Sequence, residues 1–93
     1  MQPTPRLSDY VCALFDEPDR SRVTTELDAL TALPGPMTTE RVQTAVVSLS
    51  AGDMDRFEDE LDLARRDWRD VLVAAGLAGE DWAQRLDDLL GPG

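Results

Sequence analysis

Apolar residues recur at helical spacing along most of the chain, and no stretch of strict strand-like alternation competes with them. Leu7, Tyr10, Val11, Leu14 and Phe15 fall at i, i+3, i+4, i+7 and i+8, which is one face of a helix. Thr4 is placed to cap that helix, and Pro5 suits its first position, where a missing N–H costs nothing. Asp16-Glu17-Pro18 predicts its end. A second helix from about Asp19 to Ala32 carries Val23, Leu27 and Leu30 on one face. Leu33-Pro34-Gly35-Pro36 should stop it, because proline cannot continue the ladder.

Thr38 can cap a third helix with Val42, Ala45, Val46 and Leu49 as its stripe, and Gly52 stands where a left-handed closing residue is wanted. Asp53 then follows as the next N-cap. The longest periodic segment runs from about Met54 to Ala75. At 100° per residue it aligns Met54, Phe57, Leu61, Ala64, Trp68, Val71, Leu72 and Ala75, which makes it the expected organising helix. Gly76 supplies a stop, Leu77 the hydrophobic contact that accompanies such stops, and a fifth helix from about Glu80 to Leu90 presents Trp82, Leu86 and Leu89. The pattern predicts an all-α fold: a compact bundle of four to five helices with one long helix at about 54–75. Each half beside the proline-rich stretch is too small to bury its own core, so residues 1–93 read as a single domain.

Asp67-Trp68 and Asp81-Trp82 hint at an internal repeat. Their spacing is shorter than the units that stack in solenoids, and Gly76 lies between them, so two tryptophans each filling one end of a small core is the better reading.

Composition then narrows the chemistry. The 93 residues are 42% hydrophobic and 30% charged, the balance of an ordinary globular domain rather than a disordered chain. Nineteen acids against nine basic residues give a net charge of -10, which repels phosphate backbones and anionic membranes; direct nucleic-acid and membrane partners are not expected. Histidine is absent, which removes the commonest general base and transition-metal ligand. Cys12 stands alone, so no disulfide framework or thiolate zinc cluster forms within one chain. No cation close in sequence would activate its thiol. No targeting segment or membrane span is visible, and a reducing cytoplasm fits best. The abundance of arginine and alanine without lysine, isoleucine or asparagine reads as the codon bias of a GC-rich bacterial genome.

The densest charge lies between Asp53 and Asp62, where six acids oppose the single Arg56 for a local balance of -5. Asp53, Asp55, Glu58, Asp59 and Asp62 define an acidic face on the first turns of the long helix. There the macrodipole favours them, and Arg65, Arg66 and Arg69 follow, with Asp62 and Arg66 spaced for an i,i+4 pair. Asp53-x-Asp55 begins like a calcium loop, but the sixth position is Glu58 and the twelfth Ala64, neither of which fits. Asp59-x-x-Asp62 and Asp67-x-x-Asp70 weakly echo the paired acids of magnesium-dependent all-α nucleotide hydrolases, yet they share one helix and do not share one face. An acidic helical surface could also mimic DNA and bind a nucleic-acid-binding protein, although interleaved arginines dilute it. A carrier role needs an Asp-Ser-Leu step at a helix start, and Ser48-Leu49 follows Val47 inside a helix. No metal, cofactor or catalytic residue is therefore assigned.

Val47, Leu63 and Val73 fall off the predicted stripes and form the candidate interaction surface. The reading that follows is a small acidic cytoplasmic protein without catalytic activity, a protein-interaction or regulatory module with an unknown protein partner or a homodimer. A DNA mimic and a magnesium-dependent hydrolase are the alternatives.

Between Arg41 and Gly76 the chain contains Leu49-Ser50-Ala51-Gly52-Asp53 and Arg66-Asp67-Trp68-Arg69-Asp70-Val71-Leu72. This stretch resembles one found in small uncharacterised helical proteins of bacteria, particularly actinobacteria. The resemblance implies the helical fold and carries no activity.

Overall fold

The computed structural model describes residues 2–30 and 36–91, with side chains from 38 onward in the second stretch. The described residues form five helices: α1 (Pro5–Leu14), α2 (Glu17–Asp28), α3 (Pro36–Ser50), α4 (Met54–Ala75) and α5 (Trp82–Leu90). There is no strand among the described residues, so the bundle is all-α as the periodicity predicts. The second helix ends at Asp28, short of the expected Ala32, with Ala29 as its C-cap; the expected break at 33–35 lies outside the described residues.

α3 is the centre of the molecule. Six consecutive residues, Val42 to Val47, are buried, which covers more than a full turn of the helix. A helix buried all round needs neighbours on every side. α4 packs most extensively along it after the short turn Ala51-Gly52-Asp53, α1 touches another side, and Gln43 reaches the end of α2. α3 therefore shares the organising role expected of the long helix, which supplies Phe57, Leu61, Ala64, Val71 and Leu72 to the same core. The physical reason is the run from Val42 to Gly52, which carries no charge and can be enclosed without desolvating an ion.

Polar groups in that helix are handled locally. Gln43 Nε2 donates to the Leu27 carbonyl at 2.9 Å and satisfies an acceptor at the end of α2. Ser50 Oγ donates to the Val47 carbonyl at 2.6 Å. Thr44 Oγ1 is buried and finds no partner among the described residues.

The helix ends follow the sequence signals in some places and depart from them in others. Leu77 N donates to Leu72 O at 2.8 Å and Gly76 N to Val73 O at 3.2 Å, the paired bonds of a Schellman stop, with Leu77 buried behind it. Asp53 accepts from the Asp55 and Arg56 amides, as its N-cap position predicts. Thr4 occupies the N-cap position of α1 but makes no capping bond; its hydroxyl donates to Glu40 instead. Thr38 lies inside α3, which already begins at Pro36. Pro18 starts α2 rather than merely ending α1, because proline is tolerated in a first helical turn. The two helices are then joined by Phe15 and Asp16 alone. Arg20 secures that junction by donating to the Phe15 and Cys12 carbonyls, each at 3.0 Å. Phe15 itself turns inward to meet Phe57 edge-to-face, with centroids 5.8 Å apart.

α4 is interrupted. Asp67 has extended backbone (φ -155°, ψ 92°), and its Oδ1 accepts from the Arg69 amide at 3.1 Å, so it caps the helical piece that follows. The apolar stripe nevertheless continues across the break, with Phe57, Leu61 and Ala64 buried before it and Val71 and Leu72 after it. All buried apolar residues belong to one cluster, which also takes in Leu7, Val11, Leu77 and Leu86.

Candidate functional site

The three apolar residues singled out from the sequence do not come together. Val47 is fully buried in the core, which corrects its assignment to an exposed surface: α3 has no solvent side at that level, so an off-stripe position is still an interior one. Leu63 is half-buried and packs against the core cluster. Val73 remains, 67% exposed, and it is the large exposed hydrophobic residue among those described. It borders a shallow hollow of about 290 Å³ lined by Gly76, Ala78, Gly79, Asp81 and Arg85 at the α4–α5 corner.

The local chain explains this hollow. Gly76 has φ +76°, as the helix stop requires, Gly79 follows three residues later, and the Arg85 guanidinium and Asp81 carboxylate lie over the two glycines, 3.2 and 3.0 Å from where a Cβ would stand. Gly79 does not share that left-handed backbone. Arg85 Nε donates to Asp81 Oδ2 at 2.8 Å along one edge. That pairing holds the exposed Asp81 carboxyl below its usual range and raises the Arg85 guanidinium.

The acidic face exists as a row of exposed carboxylates, but it is partly engaged. Asp53 is spent on the cap of α4. Glu58 pairs with Arg22 of α2, and Arg65 bridges Glu26 of α2 at 3.0 Å and Asp62 at 3.4 Å. The expected Asp62–Arg66 pair is replaced by this i,i+3 contact, because Arg65 is the arginine that also reaches α2. Asp55 and Asp59 are exposed. No group of three or more acids or cysteines is arranged to hold a metal among the described residues.

A third cluster was invisible in the sequence. Arg6 donates from Nε and Nη2 to the two oxygens of Glu40, at 3.2 and 2.8 Å, and from Nη1 to Asp87 Oδ1 at 2.7 Å and the Gly91 carbonyl at 3.1 Å. Its partners lie 34 and 81 positions away in sequence, so no local spacing could have revealed them. The Arg6 guanidinium holds the Glu40 carboxyl below its usual range; partial burial works against this and the Thr4 hydroxyl reinforces it. Arg6 is correspondingly raised by Glu40 and then Asp87. Beside them a notch of about 230 Å³ is lined also by Trp82, Ala83 and Leu86. Both carboxylates are already paired with Arg6, which balances one of their two charges, so the arrangement clamps α1, α3 and α5 together rather than offering a free acid or base.

The tryptophans sit at the edges of the core, half-buried, as expected. The Arg41 guanidinium lies 4.3 Å from the Trp82 ring centre, and Arg69 lies 5.3 Å from that of Trp68. Cys12 is exposed and free. No helix among the described residues is long and apolar enough to cross a membrane. The chain matches no family profile, no curated protein and no solved structure.

Proposed function

We propose that the protein is a protein-interaction or regulatory module of the cytoplasm, without catalytic activity, and that it meets its partner through the α4–α5 corner. The observation that carries this reading is Val73, 67% exposed at the edge of a shallow hollow lined by Gly76, Ala78, Gly79, Asp81 and Arg85. Exposing an aliphatic side chain forgoes the roughly 1.5–3 kcal/mol that its burial contributes, and a partner surface recovers it. Single exposed apolar residues are common on soluble proteins, so the adjoining hollow and the exposed Ala74 and Ala78 are what mark this one as part of a surface.

The acidic face supports this role less well, since three of its five carboxylates already serve a cap or an ion pair within the chain. A photo-crosslinking side chain placed at position 73, and separately at position 59, tests the reading in cells that make the protein naturally. Adducts from position 73 and none from 59 are expected. Adducts from 59 alone would move the docking surface to the acidic face and favour mimicry of DNA.

A further inference from the structure

We propose that α5 is a latch strapped shut by Arg6, and that it opens on its own about a hinge at residues 78–81 while α1 to α4 stay folded. The inference concerns the attachment of α5 alone, so it stands whether or not a partner uses the α4–α5 corner. Burial carries it first. α4 commits five buried side chains to the core, and α5 commits only Leu86. Residues 78–81, which lead into α5, are all exposed, and so are Ala83, Gln84, Arg85, Asp87 and Asp88 on the helix itself. The hinge has a fixed inner end, since Leu77 is buried and its amide bonds back to the Leu72 carbonyl.

The polar contacts divide in the same way. Asp81–Arg85 at 2.8 Å and Gln84–Asp88 at 3.0 Å are i,i+4 pairs within α5 and its cap, so they tie the helix to nothing else. Beyond Leu86 and the half-buried Trp82, Leu89 and Leu90, the attachments are two arginines. Arg6 of α1 donates to Asp87 at 2.7 Å and to the Gly91 carbonyl at 3.1 Å, and Arg41 of α3 lies over the Trp82 ring. The Asp87 side chain is half exposed, where water competes for the guanidinium and an ion pair contributes little.

A helix of nine residues does not persist by itself in water, so α5 unwinds when it leaves. Opening is then a sub-global event with its own free energy, smaller than that of unfolding the whole domain. It uncovers Leu86 and the α1 surface that α5 covers, and it removes the Asp81 and Arg85 side of the hollow beside Val73. The chain thus has a second, partly folded state that shows a different surface.

Native-state hydrogen exchange of the full chain, read amide by amide by NMR, tests this. Amides of residues 86–90 should be protected roughly a hundredfold less than those of residues 44–49 and 58–64. Their protection should stay nearly flat as urea is raised below the unfolding transition, because the opening exposes little surface. Val47→Ala separates the two events. Val47 lies about 10 Å along α3 from Glu40, at whose end α5 is held, so its contacts survive when α5 opens. The substitution should lower protection in α3 and α4 about thirtyfold and leave that of residues 86–90 within about twofold. Arg6→Gln leaves the α5 sequence untouched and should lower protection of residues 86–90 about fivefold. If residues 86–90 share the urea slope of α3, or fall with it in Val47→Ala, α5 leaves only when the whole domain unfolds and there is no latch. Unchanged protection of residues 86–90 in Arg6→Gln would overturn Arg6 as its strap.

Discussion

Replacing Gly52 by alanine probes the closest approach to main chain found at any of the described glycines. Gly52 lies in the left-handed region with φ +85°, in the turn that reverses the chain from α3 into α4. A Cβ built there would stand 2.5 Å from the Leu14 carbonyl oxygen, at the end of α1. Two costs add. A non-glycine residue in left-handed backbone loses roughly 1–2 kcal/mol. The contact is about 0.5 Å or more inside what real Cβ atoms tolerate, and its partner is main chain, so α1 or the turn must shift against a packed core at roughly 1–3 kcal/mol. The total is about 3 kcal/mol, a large share of the roughly 5–14 kcal/mol that a chain of this length has in all. At about 4–8 °C per kcal/mol it lowers the melting temperature by roughly 12–24 °C.

Gly76 is the control. Its φ is +76°, but an added Cβ there meets only the flexible guanidinium of Arg85 at 3.2 Å, so Gly76→Ala should cost about 1 kcal/mol. Urea and thermal unfolding of both variants, followed by far-ultraviolet circular dichroism, measure the difference. If Gly52→Ala proves no worse than Gly76→Ala, the close approach of α1 to the α3–α4 turn is wrong.

Other perturbations test the rest of the structure. Val47→Ala should cost about 2 kcal/mol from lost burial, and Val47→Asp should prevent folding, whereas Val73→Asp should change stability by less than about 0.5 kcal/mol; comparable effects would contradict the burial pattern of α3. Thr44→Val replaces a buried hydroxyl that has no partner among the described residues and should stabilise by about 1 kcal/mol in denaturant titration. Glu40 has a lowered pKa in the folded protein, so its contribution is present above the ordinary carboxylate range and is lost as pH falls through the folded value. Glu40→Gln should therefore destabilise by about 2 kcal/mol near pH 7 and make the acid limb of the stability profile shallower; an unchanged limb would show that the Arg6 clamp does not hold. Asp67→Ala should cost about 1 kcal/mol and Asp67→Ser little, as expected of a residue that caps the second piece of α4.

The sequence by itself determined the helical class, the five elements, the Asp53 cap, the Gly52 and Gly76 turns and most of the core. These follow from periodicity of 3.6 residues and from the few residues that tolerate left-handed or capping geometry, which are properties of the local chain. Val73, off the stripe of α4, was also legible as an exposed residue, whereas Leu63, off the same stripe, is half-buried against the core. Val47 was not, since a stripe assumes one buried face and α3 is enclosed on more; the uncharged run from Val42 to Gly52 was the signal available. Only the tertiary structure decided the break at Asp67, the bridges from α2 to Glu58 and Arg65, and the Arg6 clamp across α1, α3 and α5. An ion pair between distant positions leaves no period in the chain. Which carboxylate an arginine reaches is settled by the helix packing that brings them together, and by how much water that packing removes.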